Sequence, residues 1–235
     1  MPLITFPTPS GPIPGYLAVP ESSGPWPAVV VIQDVRGLTA DIRSSADRFA
    51  ADGHLVLAPD LYGGHSPKVT CVAKTIRSHF TGTGPAYDDI EAARAYLLAD
   101  QRCSGKVGIA GFCMGGGFAL VVASRGGYSA VAAMYGLAPD DIEALEQSCP
   151  IVASYGAKDL IVKTGAAQQL EAVLTRAGVP HDVKEYPQVG HAFMNDFGLP
   201  IALRPVETIA RMEFSELEAE DSWSRIFAFF KDHLT

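Results

Sequence analysis

The chain has 235 residues, 48 % of them hydrophobic and 19 % charged, enough apolar content to bury one large core in a single domain spanning 1–235. A formal net charge of −8 with scattered Lys and Arg argues against a nucleic-acid-binding face, and no apolar run approaches the roughly 18 residues of a membrane span. Met1 to Pro20 lacks a basic start and an apolar stretch, so no secretory signal is expected. Cys71, Cys103, Cys113 and Cys149 form no C-x-x-C pair or disulfide-dense pattern, which suits reduced thiols in a cytoplasmic setting.

Pro and Gly cluster at Pro7 to Gly15 and at Ser22 to Pro27, bracketing a short strand at Gly15 to Val19. Pro27 to Gln33 is a continuous apolar run, as expected of a strand covered on both faces. Ile42, Ala46, Phe49 and Ala50 recur at helical spacing up to Gly53, and a second buried strand follows at His54 to Pro59. Ile90, Ala93 and Leu97 mark a helix, and Lys106 to Ala110 a strand. A Gly-rich then apolar helix runs from Gly116 to Ser124, before strands at Ala130 to Tyr135 and Pro150 to Tyr155. Ala166, Ala167, Leu170, Val173, Leu174 and Ala177 give an amphipathic helix, His181 to Tyr186 the last strand, and Leu217 to Leu234 the closing helix. Alternating strands and helices predict an α/β fold with a mostly parallel, doubly wound sheet flanked by helices on both faces. Residues 63–85 and 197–215 interrupt the alternation and read as lid segments.

Between the Lys106–Ala110 strand and the Gly-rich helix lies Gly111-Phe112-Cys113-Met114-Gly115. This is the strand–turn–helix nucleophile elbow, with cysteine in place of the usual serine of G-x-S-x-G. The turn leaves no room for side chains two residues either side of the nucleophile, hence the glycines. The nucleophile then stands at the positive end of a helix, which favours a thiolate.

An elbow nucleophile needs a base within hydrogen-bond reach and an acid to orient that base. Asp159 follows the strand ending at Tyr155 and His191 follows the last strand, so the order nucleophile, acid, histidine is met at the carboxyl edge of the sheet. Singly, each residue has a plainer reading: Asp159 as a helix cap, His191 as an exposed loop residue, Cys113 as a buried structural thiol. Order and placement together favour a triad. Its oxyanion hole would use the backbone N–H groups of Met114 and, from the loop after the first central strand, Val35.

The stretches Gln33-Asp34, Ala58-Pro59-Asp60-Leu61-Tyr62, Gly108 to Gly116, Asp159 and Gly190-His191-Ala192-Phe193 together resemble the dienelactone hydrolase (carboxymethylenebutenolidase) family of cysteine-dependent α/β-hydrolases. The resemblance implies an α/β-hydrolase fold and a triad of Cys113, Asp159 and His191. It also implies a thiol-activating carboxylate at Asp34, where family members carry the longer glutamate. The archetypal enzyme binds its substrate carboxylate through an arginine four residues after the histidine; here that position is Asn195, an amide without the bidentate charge. A second family arginine falls in the 63–85 segment, where Arg77 is the candidate. Arg36, beside the oxyanion loop, is a compensating cation, and Phe193 of the histidine motif is a further substrate-binding candidate.

These readings predict hydrolysis of a small activated enol or aryl ester or lactone through an acyl-cysteine. The expected partner is the small-molecule substrate, with no metal, organic cofactor, nucleic acid or membrane; no motif addresses oligomeric state. The alternative is a non-catalytic ligand-binding or redox-sensing scaffold built on the same thiol. Such a sensor has no need of Asp159 or His191.

Overall fold

An eight-stranded sheet organises the computed structural model, which describes residues 3–63, 69–197 and 210–234. Its strands are β1 (Leu3–Phe6), β2 (Ile13–Ala18), β3 (Trp26–Ile32), β4 (Leu55–Pro59), β5 (Cys103–Phe112), β6 (Ala130–Met134), β7 (Ile151–Gly156) and β8 (His181–Tyr186). They lie in the order β1-β2-β4-β3-β5-β6-β7-β8. β1 and β2 pair antiparallel at one edge, and every pairing from β4 to β8 is parallel. Parallel neighbours require crossovers, and helices supply them. The helices are α1 (Ala40–Ala51), α2 (Val69–Thr81), α3 (Pro85–Ala99), α4 (Met114–Ala123) and α5 (Ala166–Ala177), with a short 3₁₀ turn at Ile142–Gln147 between β6 and β7, and α6 (Glu216–Leu234) after the last strand.

The period-2 alternation of β3 divides the core into two layers. Ala28, Val30 and Ile32 face the side covered by α3, α4 and α5, while Val29 and Val31 face the side covered by α1 and α6. On the second side Phe49 of α1 meets Trp223 and Phe230 of α6, with ring centroids 5.3 and 5.7 Å apart. Each such aromatic pair adds about 0.5–1.5 kcal/mol beyond the area it buries. Gly108 on β5 lets α6 settle closely: a Cβ there would come within 3.1 Å of both Phe230 and Leu234. Both sheet faces are thus closed, and the carboxyl ends of the strands remain as the place for a site.

Helix boundaries follow local chemistry. Thr39 caps α1 by accepting from the Ile42 N–H, and Pro85 opens α3 where a missing N–H does no harm. α5 ends at Gly178, whose left-handed backbone (φ 68°) returns its N–H to the carbonyls of Leu174 and Thr175.

Two elements escape the sequence pattern. β1 has only four residues and pairs along one edge. α2 occupies part of the 63–85 segment, and its inward face carries Thr75 and Ser78, both buried. Thr75 donates to the Leu61 carbonyl at 3.0 Å, so a hydroxyl takes a place that helical periodicity reserves for an apolar group. Within the two segments read as lids, residues 64–68 and 198–209 lie outside the described residues. Among the described residues no helix is long and apolar enough to cross a membrane.

Candidate active site

Cys113 links β5 to α4 with φ 55° and ψ −114°, a conformation costing a non-glycine residue about 1–3 kcal/mol. The surrounding backbone holds it there. The Cys113 N–H donates to the Met134 carbonyl at 3.0 Å, and its own carbonyl accepts from Gly117 at 3.2 Å. A Cβ on Gly111 would lie 2.0 Å from the Gly115 carbonyl oxygen, and one on Gly115 would lie 2.4 Å from that of Ile32. These glycines let the elbow fold back on itself and let the loop after β3 pass directly beside it. Cys113 is half-buried, and Met114 begins α4, where no preceding turn takes up its N–H.

The acid and base come from the ends of β7 and β8. Asp159 Oδ1 accepts from the N–H groups of Ile161 and Val162 at 2.7 and 2.9 Å, which fixes the carboxylate. Its Oδ2 lies 2.7 Å from His191 Nδ1, and the two side chains are only 3 % and 1 % exposed. The histidine loop is pressed between neighbours: a Cβ on Gly156 would strike the Gly190 carbonyl, and one on Gly190 that of Arg211. The Tyr135 ring stands edge-on to the imidazole, 5.3 Å between centroids.

Burial alone would lower the His191 pKa. The Asp159 hydrogen bond and the adjacent Cys113 sulfur outweigh it and raise the pKa from 6.5 to about 9. His191 Nε2 is buried and makes no well-aligned hydrogen bond among the described residues. A loose nucleophile–base contact is usual before substrate arrives. The structure therefore brings Cys113, Asp159 and His191 together at the carboxyl edge of the sheet.

The loop after β3 carries Asp34, Val35 and Arg36. Tyr62 pins it by donating to the Val35 carbonyl at 2.8 Å, and buried Gln33 accepts the Leu61 N–H at 3.2 Å. Pro59 to Tyr62 is thus the buttress of the loop after β3, a role with no signal in the residues themselves. The Asp34 carboxylate does not stand free beside the thiol. Oδ1 takes the Arg36 N–H at 2.7 Å, and Oδ2 takes Arg36 Nε at 3.0 Å and a terminal guanidinium nitrogen at 2.6 Å. The same guanidinium reaches Asp41 at 3.4 Å and lies 4.0 Å over the Phe197 ring.

The other substrate-binding candidates occupy different places. Asn195 is buried: its Nδ2 donates to Asp41 and its Oδ1 accepts from the Tyr135 hydroxyl. Phe193 is fully buried between Tyr135 and Tyr186, as part of the core. Arg77 lies on the exposed face of α2. Tyr135 and Asp41 have no role in the sequence reading, and Tyr62 enters it only as the end of the Ala58–Tyr62 stretch; the position of Tyr135 at the carboxyl end of β6 is the one available signal. Among the described residues there is no group of three or more His, Cys, Asp or Glu able to hold a metal ion.

Comparisons with known proteins agree with this architecture. The model of the dienelactone hydrolase family matches residues 13–234. The chain is 30 % identical to a carboxymethylenebutenolidase of Rhodococcus opacus, over 95 % of this chain and 88 % of that one. It is also 30 % identical to the protein usf of Aquifex pyrophilus, over 94 % of each. Among solved structures, a dienelactone hydrolase-like promiscuous phosphotriesterase from metagenomic libraries superposes with a TM-score of 0.83 at 22 % identity, covering 100 % of this chain and 98 % of the other. With its mostly parallel sheet and cysteine elbow, the chain belongs to the dienelactone hydrolase family, hydrolases of ester and lactone bonds built on the α/β-hydrolase fold.

Proposed function

We propose that the chain hydrolyses a small activated ester or lactone through an acyl-cysteine intermediate. The observation that carries this is the buried Asp159–His191 hydrogen bond of 2.7 Å beside Cys113, with the imidazole pKa raised to about 9. That imidazole takes the thiol proton, leaving a thiolate at the start of α4 as the nucleophile. The thiolate attacks the acyl carbon, and the N–H groups of Met114 and Val35 receive the negative oxygen. Collapse of the tetrahedral species breaks the ester bond, and the imidazolium hands its proton to the departing oxygen. Water, deprotonated by the now neutral imidazole, then cleaves the thioester and restores the thiol.

A thiolate expels enol and aryl oxygens far more readily than amide nitrogens, which points to activated esters. The test is Cys113→Ala against 4-nitrophenyl acetate, with mass spectrometry of the wild-type enzyme quenched during turnover. Turnover should vanish in the variant while its circular dichroism stays unchanged, and an acetyl adduct should map to Cys113. Full activity in the variant would overturn the mechanism. An acetyl adduct that forms once and is never released would instead favour a ligand-binding or sensing role for the thiol.

A further inference from the structure

The charges around Cys113 are unequally matched. Asp34, Asp41 and Asp159 surround the site with three carboxylates, and the working thiolate adds a fourth negative charge. Against them, among the described residues, stand the Arg36 guanidinium and the His191 imidazolium. The buried Tyr135 hydroxyl, next to His191, registers the same imbalance: after burial itself, Asp41, Cys113 and Asp34 push its pKa up, and Arg36 alone opposes them.

Arg36 is already engaged within the protein. Its Nε, one terminal nitrogen and its backbone N–H hold Asp34, whose side chain is 4 % exposed; Asp41 lies 3.4 Å from that same terminal nitrogen, and the Phe197 ring covers the guanidinium face. Turning it toward a substrate carboxylate would strand the buried Asp34 charge, a larger loss than one new ion pair returns. Asn195 is committed on both sides of its amide, and Arg77 faces solvent. The flanking loops present apolar surface instead. Val35 is 51 % exposed on the oxyanion loop, with Leu160 and Ile161 65 % and 49 % exposed beside Asp159.

We infer that this site selects uncharged, partly apolar esters and lactones and discriminates against substrates bearing a carboxylate near the scissile carbonyl. The inference names a substrate class for the activity proposed above and rests on that reading, but the field it describes is measurable without turnover. Iodoacetamide and iodoacetate are near-isosteric and differ by one negative charge. Each displaces iodide from carbon as the sulfur–carbon bond forms, so their rates at Cys113 report the local potential.

The rates are measured by peptide mapping on the intact chain and divided by those for free cysteine. Normalisation removes the thiolate's own charge, so the one remaining uncompensated carboxylate, at about 7 Å from the reagent, predicts roughly a threefold preference for iodoacetamide at low salt. That preference should fall toward parity at about 1 M salt. Asp41→Asn, which keeps an acceptor for Asn195 but removes one charge, should also shrink it at low salt. Equal normalised rates, faster reaction with iodoacetate, a preference indifferent to salt, or failure of both reagents to reach Cys113 would each overturn the inference. Hydrolysis of 4-nitrophenyl acetate, assayed in parallel, reports separately on whether the esterase reading holds.

Discussion

Replacing Asp159 with Asn tests the electrostatic heart of the proposed mechanism. Oδ1 of Asp159 accepts two backbone N–H groups, so the NH2 of an asparagine cannot occupy that side without stranding both donors. The NH2 must face His191 Nδ1, which then becomes an acceptor, and the ring proton moves to Nε2, where it cannot take the thiol proton. The imidazolium also loses a partner that, with Cys113, lifts its pKa from 6.5 to about 9 against burial. At about 1.36 kcal/mol per pKa unit, that lift is worth about 3 kcal/mol in favour of the charged ring. The sign is clear: the wild-type imidazolium persists until pH climbs through about 9, whereas in the variant it should be lost at or below the ordinary histidine range. NMR titration of the His191 ring measures the shift directly, and kcat/KM for an aryl ester at pH 7 should fall by roughly 10²- to 10⁴-fold. A variant whose ring still titrates near 9, with kcat/KM within about twofold of wild type, would refute the reasoning.

The elbow itself should tolerate no side chain at Gly115. Its Cβ would meet the carbonyl oxygens of Ile32 and Gln33 at 2.4 and 2.7 Å, so Gly115→Ala should lower stability by about 3 kcal/mol or more, read as a drop of roughly 6–12 °C in Tm. His54 makes stability depend on acid. Burial against Phe49 and Phe230 lowers its pKa from 6.5 to about 4, so the unfolded chain takes up a proton across that interval while the folded chain does not. The stability present above pH 6.5 should decline by about 3 kcal/mol as pH falls to about 4. Urea titrations should show a shallower decline over that range in His54→Phe; an unchanged pH slope would count against the assignment.

Periodicity made most of the sheet legible because buried parallel strands are continuous apolar runs and their helices carry regular apolar stripes. The same rule hid α2, where Thr75 and Ser78 supply buried hydroxyls, and β1, too short for alternation to register. For the site, chain order and strand ends pointed to Cys113, Asp159 and His191, since topology alone delivers loops to one edge of a sheet. Side-chain pairing is another matter. Asp34 and Arg36 stand two residues apart and bind each other, whereas Asn195 and Asp41 meet from distant parts of the chain. Which carboxylate each cation satisfies is decided by loop conformation, and no spacing rule encodes it.

The path from Asp41 through Asn195 to Tyr135 has a direction. A carboxylate facing the amide fixes which end of Asn195 donates, so the amide oxygen is left to receive the phenolic hydrogen. Tyr135 therefore touches the imidazole with its ring while its one labile hydrogen points elsewhere. Close as it stands to Cys113 and His191, this phenol is withdrawn from proton traffic, and in the proposed mechanism a single ring nitrogen must both receive and return the proton that each cycle moves.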